Sequence, residues 1–89
     1  MPYRITRFEA TPNPNALKCH LDRALEGPNR SYRRREEAGE DDAVARALFA
    51  VEGVAGLLLM GDWLTVNKRP EAEWARLKRQ LMSALADVP

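Results

Sequence analysis

The chain has 89 residues, 45% of them hydrophobic and 30% charged, with a formal net charge of +1. These values describe one ordinary globular domain and exclude both disorder by composition and a bulk electrostatic pull toward nucleic acid or anionic membrane. A single cysteine excludes an internal disulfide, no charged-then-apolar leader opens the chain, and the longest apolar run, Val54 to Met60, is far too short to span a bilayer. The expectation is a cytoplasmic protein without membrane contact.

Tyr3 to Thr11 carries Tyr, Ile, Thr and Phe and reads as a strand, but Ile5 and Phe8 have opposite parity. Either a bulge or a slipped start reconciles them. "TPNPNALK", Thr11 to Lys18, follows. Pro12 and Pro14 fix their own φ angles and push Thr11 and Asn13 toward extended backbone, while Asn13 and Asn15 suit an Asx-type turn. The result is a low-entropy connection that either sets a hairpin or presents a rigid recognition edge. Ala16 to Asp22 then alternates as a half-buried strand, with Leu17, Cys19 and Leu21 on one face and Lys18, His20 and Asp22 on the other.

Arg23 to Glu40 has the weakest pattern. Gly27-Pro28-Asn29 signals a turn, and Ser31 to Arg35 suits a short edge strand whose arginines discourage edge-to-edge pairing. Arginines at 30, 33, 34 and 35 give way to acids at 36, 37, 40, 41 and 42. Asp41 or Asp42 can cap a helix in which Val44, Ala47, Leu48 and Val51 recur, with Gly53 ending it. Val54 to Met60, Gly61-Asp62 and Trp63 to Lys68 read as a hairpin with a type II′ turn. That register puts Leu57, Leu59, Leu64 and Val66 on one side and Val54, Leu58, Met60, Trp63 and Thr65 on the other. Pro70 opens the last helix, whose apolar stripe is Trp74, Leu77, Leu81 and Leu85, with Trp74 as its core anchor.

These elements define an α+β fold, β(2)-α-β(2)-α in two layers: one sheet with both helices on one face, in a single domain over residues 1–89. The denser aliphatic side suits the helices. Leu58, Met60 and Trp63 then face solvent or a partner, unless the arm from Arg23 to Glu40 folds over them.

Little here carries chemistry. Cys19 and His20 are adjacent on a strand, point to opposite faces and cannot share one metal. No CxxC, HExxH, phosphate loop or nucleophile elbow occurs, and the carboxylates of Glu36 to Asp42 are better used in starting a helix. The sequence therefore offers no catalytic and no metal-binding residue. The arginine cluster beside Tyr32 could touch phosphates, but acids follow it at once, which disfavours nucleic acid.

"TPNPNALK", "ARALFAVEGV" (Ala45 to Val54) and "GDWLTVNK" (Gly61 to Lys68) together resemble the N-terminal domain of Nfu/NifU-like iron–sulfur cluster scaffold proteins. The family pattern is similar to TPNPNALKF, SPLAKALFxIxGV and a GxDFITVTK-like strand. This chain departs from it with Cys19 for an aromatic residue, Asp42 for a capping serine and Trp63 for phenylalanine. Full-length members hold their cluster on a CxxC in a separate C-terminal domain, and no CxxC occurs in these 89 residues. The resemblance implies a stand-alone accessory domain that is not an enzyme, binds no cofactor directly and engages protein partners of iron–sulfur assembly. The candidate partner-binding residues are Pro12, Asn13, Pro14, Asn15, Lys18, Leu58, Met60 and Trp63, with Trp63 at either a weak homodimer contact or a partner interface. The alternative is an iron or cluster carrier that uses Cys19 across a homodimer.

Overall fold

The structure, a computed structural model, describes residues 2–88. In chain order it contains β1 (Ile5–Ala10), β2 (Ala16–Leu21), β3 (Arg30–Tyr32), a 3-10 turn at Arg35–Glu37, α1 (Ala43–Phe49), β4 (Val54–Met60), β5 (Trp63–Lys68) and α2 (Trp74–Ala86). The five strands form one antiparallel sheet in the order β1-β2-β5-β4-β3. This is the expected α+β class, with a fifth strand added to the β(2)-α-β(2)-α pattern: the short edge strand β3, which runs Arg30–Tyr32 instead of Ser31 to Arg35 because the chain turns into the 3-10 segment at Arg35.

Two bulges set which side chains reach the core. The β1 register shifts between Ile5 and Arg7, so Ile5 is buried and Phe8 still packs against the core despite its opposite parity. A second shift, between Val54 and Gly56, turns Val54 inward to 6% exposure. Strict alternation had placed Val54 with Leu58 on the outer side; the extra residue at Ala55 reverses it. The Gly61-Asp62 turn has the sign pattern of type II′, since Gly61 has φ +48° and no described non-glycine residue has a positive φ.

The helix ends differ from the sequence reading. The first helix stops at Phe49, and Gly53, at φ +102°, serves the later turn into β4. Pro70 lies ahead of α2 in a turn closed by the Ala72 N–H donating to the Arg69 carbonyl (3.0 Å), a position that its fixed φ suits. Glu73 precedes the first helical residue, Trp74.

A single core joins the layers. Leu57, Leu59, Leu64 and Val66 from the second hairpin meet Cys19 from β2, Leu48 from α1, and Leu77, Leu81 and Leu85 from α2, each at 2% exposure or less. Removing a leucine side chain of this size from water is worth about 1.5–3 kcal/mol. Trp74 is only partly buried at the rim of this core, so it is not the anchor its place on the stripe suggested. The Tyr3 N–H donates to the Leu85 carbonyl (3.0 Å), tying the segment before β1 to the last turn of α2.

The arm between β2 and α1 extends the sheet through β3 and closes on Gly56, where an added Cβ would meet the Tyr32 carbonyl at 3.0 Å, while Leu58, Met60 and Trp63 stay partly exposed. Leu25 enters the core, with its N–H on the Gly61 carbonyl (2.7 Å), and Tyr32 sets its ring edge-on to Phe49 (centroids 6.4 Å apart). Arg30 and Tyr32 both close on Asp42: Arg30 Nε to Oδ2 at 2.6 Å, a second guanidinium nitrogen to Oδ1 at 3.1 Å, and the Tyr32 hydroxyl to Oδ2 at 2.7 Å. The same carboxylate caps α1 by accepting the Ala45 N–H (3.1 Å). Among the described residues no helix is long and apolar enough to cross a membrane.

Candidate functional site: the helix-free face of the sheet

Side chains on alternate residues of the five strands line up in two rows on the face without helices. One row runs Arg7, His20, Trp63, Met60; the next runs Glu9, Lys18, Thr65, Leu58, Ser31. Trp63, Met60 and Leu58 are all half-buried there, beside one another on paired strands. Single exposed apolar residues are ordinary, whereas a contiguous patch with a tryptophan in it is the composition of a contact surface.

The patch has a charged border on the β1 side. The Lys18 ammonium lies 4.2 Å from the Trp63 ring centroid, a cation–π contact that holds the indole against the sheet. His20 Nε2 and Glu9 Oε1 are 2.8 Å apart, and Arg7 lies 3.5 Å from the same carboxylate oxygen. The hydrogen bond to His20, aided by the charges of Lys18 and Arg7, holds the Glu9 carboxyl below its ordinary pKa.

The proline loop lies elsewhere. Thr11 Oγ1 lies 2.9 Å from the carbonyls of both Asn13 and Ala16, which share its one hydrogen, and accepts the Asn13 N–H (3.2 Å), while Asn13 Oδ1 accepts the Asn15 N–H (2.9 Å). Two long-range contacts then clamp it. The Trp74 indole N–H donates to the Pro14 carbonyl (2.9 Å), and Lys68 Nζ donates to Asn15 Oδ1 (3.1 Å). Lys68 also sits 5.7 Å from the centroid of the Trp74 ring.

The candidate residues therefore separate into two groups. Lys18, Leu58, Met60 and Trp63 form one surface; Pro12, Asn13, Pro14 and Asn15 form the turn at the far end of the strands, about 17 Å from Trp63 at the rise of an extended chain. The second group is held by its own hydrogen bonds and its clamp. The sequence reading did not count Glu9, Thr65 or His20 among the candidate binding residues, although the hairpin register placed Thr65, and strand parity His20, on the correct side.

Cys19 is fully buried beneath the helices, and burial pushes its thiol pKa up to about 12. A thiol in that state is a core side chain, not a nucleophile or ready ligand. Among the described residues no group of three or more His, Cys, Asp or Glu side chains is placed to hold a metal ion.

The fold and site define a two-layer α+β domain, a five-stranded antiparallel sheet with two helices. The family comparison is more specific: the model described as "Scaffold protein Nfu/NifU N terminal" matches residues 5–88, and the chain belongs to that family. Among curated proteins it is 31% identical, over 86% of its length, to "NFU1 iron-sulfur cluster scaffold homolog, mitochondrial" of Drosophila erecta, and 27% identical, over 94%, to "Conserved virulence factor C" of Staphylococcus aureus (strain bovine RF122 / ET3-1). The chain spans only 28% and 22% of those two proteins. Among solved structures, the crystal structure of protein SAV1430 from Staphylococcus aureus is similar in fold, with a TM-score of 0.77 over 91% of this chain and 96% of that one, at 24% identity. The solution structure of SeR13 from Staphylococcus epidermidis has a TM-score of 0.62 over 97% of this chain and 99% of that one, also at 24% identity.

Proposed function

We propose that this chain is a non-enzymatic protein-interaction domain of iron–sulfur cluster assembly, and that partners of that process dock on the surface formed by Trp63, Met60, Leu58 and Lys18. The observation that carries the reading is the bare face itself: a tryptophan held by a lysine on a rigid sheet, flanked by two apolar side chains, with both helices on the other side. The setting comes from the family and from the printed names of its relatives as iron–sulfur cluster scaffolds. A cytoplasmic location belongs to the same reading, since a domain with one cysteine and no disulfide suits a reducing compartment. Cys19 lends no support to the cluster-carrier alternative, because a thiol at 0% exposure cannot meet a second chain without unfolding this one.

Titrating the isotope-labelled chain with purified iron–sulfur assembly proteins, including a CxxC-bearing scaffold domain, tests this directly. Shifts should centre on Lys18, Leu58, Met60 and Trp63. Trp63→Ser should abolish them while leaving the melting temperature within a few degrees, because a half-exposed residue contributes little core burial. Shifts confined to the helices, or binding undiminished in the variant, would place the function elsewhere.

A further inference from the structure

We propose that β1 is the interface for a second copy of this chain, pairing antiparallel with its own β1 about a two-fold axis through Phe8. At one end of the sheet lies β3, only three residues long; at the other, β1 offers six residues with no strand along its outer edge among the described residues. The backbone there is ready to pair. The Leu21 N–H donates to the Asp62 carbonyl and the Lys68 N–H to the Asn15 carbonyl (both 2.8 Å), so the odd-numbered residues of β2 face β5. By the alternation of an antiparallel ladder, Lys18 and His20 then bond to β1, where their partners are Glu9 and Arg7. Phe8 and Ala10 are left with N–H and C=O groups directed off the edge, the arrangement that recruits another strand.

The side chains select the partner. In the two-fold register Arg7 stands opposite Glu9 of the second copy, and Glu9 opposite its Arg7. Both are non-hydrogen-bonded pairs, in which side chains approach most closely. Opposite charges two residues apart on one face are complementary to themselves only when the strands run antiparallel, which is the requirement of a closed two-fold dimer. Both side chains are exposed, at 64% and 48%, and can exchange partners. On the opposite face the pairing brings Phe8 toward Phe8 of the second copy. The Lys78 ammonium of α2 already lies 5.3 Å from the centroid of the Phe8 ring. Toward the start of β1, Met82 of α2, at 41% the one exposed large hydrophobic among the described residues, lines a separate hollow with Ile5 and Ala86. A second copy paired about Phe8 would cover the Phe8 ring.

Sedimentation of the intact chain over a range of concentrations reads the association, and charge reversal reads its register. Arg7→Glu and Glu9→Arg should each weaken dimerisation about tenfold or more, since each sets two pairs of like charges face to face. An equimolar mixture of the two variants should dimerise as the unaltered chain does. The first variant carries acids at both positions and the second carries bases at both, so every cross-strand pair between them joins opposite charges. Recovery in the mixture also shows that both variants are folded. Amide exchange at Phe8 and Ala10 should slow as concentration rises. A chain that stays monomeric throughout, a dimer indifferent to both reversals, a dimer not recovered in the mixture, or edge amides protected only by another protein's strand would each overturn the proposal.

Discussion

The Asp42 carboxylate serves three neighbours at once: it caps α1, pairs with Arg30 and accepts the Tyr32 hydroxyl. Burial alone would raise its pKa, but the hydrogen bonds from Arg30, Tyr32 and the Ala45 N–H, with the charge of Arg30, hold it below the ordinary aspartate value. A carboxyl with a depressed folded-state pKa contributes stability that is complete above its unfolded pKa and drains away as pH falls through the folded one. Glu9 acts in the same direction. The midpoint of urea unfolding should thus fall through the acid range, and Asp42→Ala should flatten that fall. The substitution should itself cost about 2–4 kcal/mol, combining a lost cap with a guanidinium and a hydroxyl left without their acceptor. The sequence marks Asp41 or Asp42 as the cap. It does not choose, because Arg30 and Tyr32 lie 12 and 10 positions earlier and no local periodicity links them to the helix start.

At the scale of elements, the second hairpin was the most legible part, because the alternation of Leu57, Leu59, Leu64 and Val66 with a Gly-Asp turn leaves one register that buries them all. Where the period breaks, the reading broke with it. Val54 is turned inward by a bulge that no parity count reveals, whereas the conflict between Ile5 and Phe8 did announce the bulge in β1. Helical spacing placed Trp74 correctly on α2 but overstated its burial, since its ring lies at the rim and its indole N–H is spent on the Pro14 carbonyl. Trp74→Phe keeps most of the apolar contact and deletes only that hydrogen bond. It should lower stability by about 1 kcal/mol and speed amide exchange in the proline loop, measured by NMR. Unchanged exchange would mean that the prolines and the Lys68–Asn15 bond hold the loop without the indole hydrogen bond.

For the molecule as a whole, counting was enough to predict a bare sheet face: two helices cover one side, and aliphatic density chose which. The strand order was not legible in that way. Both hairpins are local, but the seam between β2 and β5 joins residues far apart along the chain, Leu17 with Val66 and Cys19 with Leu64, and their pairing follows from the whole core. That seam has a kinetic consequence. Each hairpin closes a short loop, whereas joining them requires ordering the entire arm and α1 between, an entropic cost that falls late on the folding path. The bond from Lys68 to Asn15 at the end of the seam should then be absent from the transition state. Asn15→Ala should accelerate unfolding severalfold and leave refolding almost unchanged in a denaturant chevron, whereas a slowed refolding limb would put the seam in the nucleus. The two halves of the sheet would thus behave as separately assembled pieces, and the lifetime of the native state would be set by how long the joint between them stays shut.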